Sequence, residues 1–100
     1  METMSLSDLE FNNHFLNQII YHMIKDDDFI KKVRPVLPLE IFKSRERKKI
    51  VSLIFDYFDC YRKAPKDNFY DIFIEQEDDM SVELYNRCVD YIGLIKNIKN

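Results

Sequence analysis

The chain has 100 residues, 46% of them hydrophobic, and a formal net charge of -3. That length suits one domain, and that apolar fraction can fill a core without staples, which excludes a disordered tail. A count of 1 glycine excludes Gly-rich phosphate cradles and a P-loop for ATP, and leaves little for tight β-hairpins.

Ser7 followed by Glu10 fits a capping box, so the first helix is expected from about Asp8 to Lys25, with residues 1–7 flexible. Phe11, Phe15, Ile19 and Met23, together with Leu16, Ile20 and Ile24, repeat at helical spacing and form a wide apolar face. His14, Asn17, Gln18 and His22 are expected beside or opposite that face. Asp26-Asp27-Asp28 then offers a cap and favourable charge to a short second helix that buries Phe29, Ile30 and Val33. Pro35 restricts Arg34 and ends it. Val36 and Leu37 are expected to plug the core from an extended link. Pro38 opens another short helix that turns Leu39, Ile41 and Phe42 inward.

Ser44 is the expected cap of a long helix with a stripe of Ile50, Leu53, Ile54, Tyr57, Phe58 and Tyr61, and with Val51 and Phe55 on a second side. Apolar over so much of its girth, this helix should be central. Ala64-Pro65 ends it, Asp67 or Asn68 caps the next, and Phe69, Ile72 and Phe73 face inward. Residues 75–80 read as a solvated acidic connector. Ser81 caps a last helix carrying Leu84, Tyr85, Cys88, Val89, Ile92 and Ile95, which Gly93 weakens. The expected fold is all-α, a compact orthogonal bundle of about five to six helices in a single domain spanning 1–100.

Catalytic chemistry finds no foothold in this pattern. His14 and His22 lie eight apart with no metal-like partner, and the acid runs at 26–28 and 75–79 suit capping and solvation better than a cation. No Ser or Cys has a base and an oxyanion donor nearby in the pattern. Cys60 and Cys88 read as small buried hydrophobes of a reducing compartment. No catalytic, cofactor or metal residue is assigned, and the chain is not expected to be an enzyme. The polar, acidic N-terminus is unlike a secretory leader, and no apolar run reaches the ~18 residues of a membrane span. A soluble cytoplasmic protein is expected.

Charge is unevenly placed. Nine of the 15 Lys and Arg residues fall between Lys25 and Lys49, whereas acids dominate after Ala64. Cations in the first turn of a helix oppose its dipole, so stability alone does not explain Lys43, Arg45, Arg47, Lys48 and Lys49. They are the candidate partner surface, for an acidic protein patch or for phosphates, with an ordinary solvated face as the other reading. The aromatics nearby sit at core spacing, so the nucleic-acid case is the weaker one.

The ordered set Ile19-Ile20, Phe29, Val33, Leu37, Phe42, Arg47-Lys48, Ile50-Val51 and Pro65 resembles the N-terminal domain of DnaB-type hexameric replicative helicases. The spacing is closest to T4-like phage helicases. Arg47 and Lys48 stand at that family's His-Arg pair, Ile50 and Val51 at its Ile-Phe pair, and Pro38 and Phe42 in its elbow. The Gly common in the family before the proline after the long helix is replaced by Arg62-Lys63-Ala64. The family's ATPase domain and pairing helices are absent from these residues. The resemblance implies a non-catalytic domain of the helicase collar that meets primase, a helicase loader or neighbouring helicase subunits. It also leaves room for a stand-alone phage or plasmid protein that binds a helicase or primase. A small DNA-binding protein using residues 43–49 is the remaining alternative.

Overall fold

The computed structural model describes residues 13–96. Through them run α1 (Asn13–Lys25), α2 (Asp27–Val33), α3 (Arg45–Tyr61), α4 (Phe69–Ile74) and α5 (Val82–Lys96). Single 3-10 turns at Leu39–Ile41, Lys66–Asn68 and Glu77–Asp79 join them, and no strand occurs among the described residues. The protein is a small all-α bundle. The capping box at Ser7 and Glu10, and the flexible segment expected at 1–7, lie outside the described residues.

The caps explain where the helices begin. Asp26 is extended, and its Oδ1 accepts the N–H groups of Asp28 at 2.9 Å and Phe29 at 3.2 Å, which satisfies two orphan donors of α2. Ser44 does the same for α3, with Arg47 N–H donating to its Oγ at 3.2 Å. Ser81 Oγ accepts from Leu84 N–H at 3.1 Å at the start of α5. The cap expected from Asp67 or Asn68 does not form, because Lys66–Asn68 runs as a 3-10 turn straight into α4 and leaves the Asn68 side chain no N–H to accept from.

The core is built around α3, which packs against α1, α4, α5 and the Leu39–Ile41 turn. Ile50, Val51, Leu53, Ile54, Phe55 and Phe58 are its buried residues. Ile20, Met23, Ile30, Phe42, Phe73 and Cys88 close on them from the other elements. Leu37 and Leu39 pack against this cluster, but Val36 is 64% exposed. The link after α2 is turned rather than extended: the N–H groups of Val36 and Leu37 both donate to Val33 O, at 3.0 and 2.9 Å, and the turn throws Val36 outward. Tyr61 also lies outside the core, in the last turn of α3, with its ring 4.6 Å from that of Tyr57. Phe15 is exposed rather than core.

Arg62 ends α3 in the left-handed region, with φ 59, while its N–H donates to Phe58 O at 2.7 Å. This is the position at which helices commonly place glycine. The absent glycine noted in the sequence is thus replaced by a strained arginine whose guanidinium reaches over the Phe58 ring, 5.8 Å from its centroid. The chain then returns to α2: Asp27 accepts the Ala64 N–H at 2.7 Å and the Lys66 ammonium at 3.0 Å.

Cys88 is buried, as its spacing predicts, but Cys60 is exposed on the outer side of α3. Its neighbours at the helix's last turns, Asp59 and Tyr61, are exposed as well, so the buried face has already rotated away.

Candidate interaction surface at the start of the long helix

The extended Ser44 and the Lys48 N–H donating to Ser44 O at 3.1 Å set the first turn of α3. The helix then distributes its cations by their position around the axis. Lys43, Arg45 and Lys48 are exposed, and Lys49 is half-buried. Arg45, Lys48 and Lys49, spaced three and four apart, share one face. Among the described residues none of these cations has an acidic group within ion-pair distance.

Arg47 is different. Its Nε donates to Asn17 Oδ1 at 3.1 Å and its Nη1 to Ser44 Oγ at 3.3 Å. Its guanidinium lies 4.9 Å from the centroid of the Tyr91 ring. The Tyr91 hydroxyl donates to the same Asn17 oxygen. Arg47 therefore fastens α1, α3 and α5 together, and the free surface consists of Lys43, Arg45, Lys48 and Lys49. Arg34 is also engaged internally. Its Nε and Nη2 form a fork on Asp59, at 3.1 and 2.8 Å, and its guanidinium lies 4.3 Å from the Phe55 ring centroid.

Asn17, expected beside or opposite the apolar face of α1, is instead buried within it, and Tyr91, unassigned from the sequence, joins it there. Asn17 is only 8% exposed and Tyr91 6%. A signal for Asn17 exists: it lies three residues before Ile20 and seven before Ile24, within the buried stripe of α1. Nothing in the sequence points to its partners, which are 30 and 74 residues away.

Beneath the cationic face, Glu46 is half-buried, and its Oε2 is buried without a hydrogen-bond partner. Cys88 lies close by, with its Sγ 4.0 Å from Glu46 O. Burial, with the Glu46 charge second, pushes the Cys88 thiol up to about 11. Burial also raises the Tyr91 hydroxyl, against the opposing hydrogen bond and charge of Arg47. Both groups are held in their neutral forms, as packing atoms rather than nucleophiles.

His14 is exposed, and His22 is half-buried with its ring between those of Tyr21, at 5.5 Å, and Phe29, at 5.7 Å. No group of three or more His, Cys, Asp or Glu side chains among the described residues is arranged to hold a metal ion. No helix among them is long and apolar enough to cross a membrane. The surface offers point charges on a rigid helix start, suited to carboxylates or phosphates. No protein-family model matches the chain, and neither does any curated protein or solved structure.

Proposed function

We propose that this chain is a non-catalytic assembly domain of a hexameric replicative DNA helicase, working in the cytoplasm of a bacterium or a phage-infected host. It acts through protein contacts with primase, a helicase loader or neighbouring helicase subunits. The observation that supports this reading is the packing of the resembling residues. Ile20, Ile30, Phe42, Ile50 and Val51 meet in one core, and the elbow and the Ser44 cap deliver α3 between them. The free cations Lys43, Arg45, Lys48 and Lys49 stand on the outside of that unit, where an acidic partner surface can reach them.

The test is a titration of the purified chain against the cognate primase, loader and remaining helicase. Association with one of them, weakened by Arg45→Glu with Lys48→Glu, is expected. Absence of association with all of them at tens of micromolar, roughly the weak end of specific complexes, overturns the proposal. The reading frame after Asn100 separates a helicase from a stand-alone helicase- or primase-binding protein, since the former carries a Walker A motif downstream.

Because these four cations have no ion-pair partner among the described residues, DNA binding is the second reading. It requires affinity that falls steeply with salt and is lost when Arg45, Lys48 and Lys49 are neutralised. DNA affinity that survives neutralisation removes it.

A further inference from the structure

A second surface, of opposite charge, is formed by α4 and α5. Tyr70 and Ile74, four apart, share one face of α4, and Val82, Tyr85 and Val89, three and four apart, share one face of α5. The two rows lie side by side. Phe73 of α4 stacks on Tyr85 with ring centroids 5.0 Å apart, and the Lys96 ammonium of α5 sits 4.7 Å from the Tyr70 ring centroid. Val89 falls between Tyr85 and Lys96 along α5. Yet Tyr70, Ile74 and Val82 are 44, 41 and 78% exposed, Val89 is exposed too, and Tyr85 is only half-buried. Apolar side chains scattered singly over a surface are ordinary, but a contiguous row of them marks a place where something docks.

Acids crowd this face. Residues 71–83 hold Asp71, Glu75, Glu77, Asp78, Asp79 and Glu83, and no Lys or Arg. All of these acids are exposed, and among the described residues only Glu83 has an ion pair, with Arg87. Lys96 lies over the Tyr70 ring rather than on a carboxylate, and Lys66, in the segment leading into α4, is held by Asp27. The excess charge of the face is therefore negative. Burial raises the Tyr85 hydroxyl above its ordinary value, and the Glu77 charge and then Tyr70 add to it, so the acids reach the aromatic row itself. The helix dipole accounts for Glu83 in the first turn of α5, but not for Glu75 at the C-terminal end of α4.

We propose that this face docks a basic amphipathic helix of a partner protein, with apolar side chains laid against Ile74, Val82 and Val89 and with Lys or Arg side chains reaching Glu75, Glu77 and Asp78. Charge and exposure select this occupant. The carboxylates repel a nucleic acid or an anionic membrane. A second copy of this chain offers cations at Lys43, Arg45, Lys48 and Lys49, but the apolar residues around that helix start, Phe42, Ile50 and Val51, are fully buried, so no apolar side chain comes with them. A helix with apolar residues three and four apart and cations beside them supplies both. The face is distinct from the cationic surface at the start of α3, and neither depends on the other.

The probe is a fluorescein-labelled tetradecapeptide of Leu and Lys with its leucines at helical spacing, titrated into the full chain by anisotropy. Saturable binding that weakens with salt is expected, along with amide NMR shifts at Tyr70, Ile74 and Val89. Affinity should fall at least about tenfold for a scrambled peptide of the same composition, and by as much in the Ile74→Ser, Val82→Ser and the Glu75→Gln, Glu77→Gln double variants. Asp56→Asn, on α3 outside the face, should bind like the parent, and thermal melts of each variant check the fold. The proposal is overturned by absence of binding, by equal affinity for the scrambled peptide or an oligothymidylate, or by undiminished binding to either folded double variant. Shifts confined to residues outside α4 and α5 overturn it as well, as does a dimer that covers Tyr70 and Ile74 without peptide, since the occupant is then a second copy.

Discussion

Arg47 donates its Nε–H to Asn17 Oδ1 at 3.1 Å, and this bond joins the first turn of α3 to α1. The Asn17 oxygen also accepts from Tyr91 on α5, so one amide serves three helices. Replacing it leaves two donors, the buried Tyr91 hydroxyl and the half-buried Arg47 Nε–H, without their acceptor. Asn17→Ala should therefore cost about 1–3 kcal/mol, and Tyr91→Phe, which deletes one donor cleanly, nearer ~1 kcal/mol. Arg47→Lys should also destabilise, because an ammonium cannot reproduce the guanidinium's planar reach over Tyr91 to both Asn17 and Ser44. Urea midpoints of the three variants check this. If Arg47→Lys unfolds with the parent, Arg47 belongs to the free surface after all.

Ile54 sits fully buried in the middle of α3, where neighbours approach from several sides. A helix gripped in this way cannot collapse locally around a void. Truncation to alanine should cost roughly 2–5 kcal/mol. A differential scanning calorimetry trace matching the parent would remove α3 from the centre of the fold.

The local signals in the sequence are those that act within a few residues. Asp26, Ser44 and Ser81 cap the helices that follow them, because a cap needs only its own oxygen and the next N–H groups. Helical spacing likewise locates Ile30, Ile50, Ile54 and Ile92 in the core. The misplacements come from effects that spacing does not carry. Val36 follows a turn whose direction depends on two bonds to Val33 O, and Cys60 lies where the buried stripe runs out before the helix does. The candidate surface suffers most from this. Five cations within seven residues look alike in sequence, and it is distant partners, Asn17 30 residues upstream and Tyr91 on α5, that turn Arg47 inward. The acid-rimmed face of α4 and α5 is still less legible, since its two apolar rows become neighbours only where Phe73 stacks on Tyr85 and Lys96 reaches Tyr70.

Gly93 lies inside α5, and a Cβ built on it meets nothing within 4 Å. Its φ is not in the left-handed region, so an alanine fits the backbone it already has. Glycine in a helix interior costs about 0.5–1 kcal/mol relative to alanine. Gly93→Ala should raise stability by about that amount, read as an upward shift of the melting temperature. A lower melting temperature would place a close neighbour over this turn of α5.

The two thiols should differ sharply in reactivity. Cys60 is exposed, whereas Cys88 is buried with its thiol pushed up to about 11, so almost no thiolate forms there at neutral pH. An aromatic disulfide reagent at pH 8 should titrate one thiol of the native chain quickly and the second only in denaturant. Cys60→Ser should abolish the fast phase. A rapid second equivalent in the native protein would show that α5 opens readily away from α3.

Acid should loosen α2 before the rest of the bundle. The Ala64 N–H, and then the Lys66 ammonium, hold the Asp27 carboxyl below its ordinary value of 3.8; the Arg34 fork does the same for Asp59. A carboxyl depressed in the folded state contributes stability that is fully present above its unfolded value. That contribution is lost as pH falls from 3.8 through the lower folded values. Both carboxylates are at the surface, so each contribution is modest and screened by salt. Together, however, they are the ties that hold the two ends of α2 to the far end of α3 and the loop after it. The protection factors of the α2 amides should therefore fall below about pH 4 while those of α3 hold. The Asp27→Ala, Asp59→Ala double variant should already show the lowered protection factors there at pH 7, and acidification should lower them little further. An α2 that stays as protected as α3 at pH 3 would mean that Ile30 and its cap, not these ion pairs, keep the helix docked.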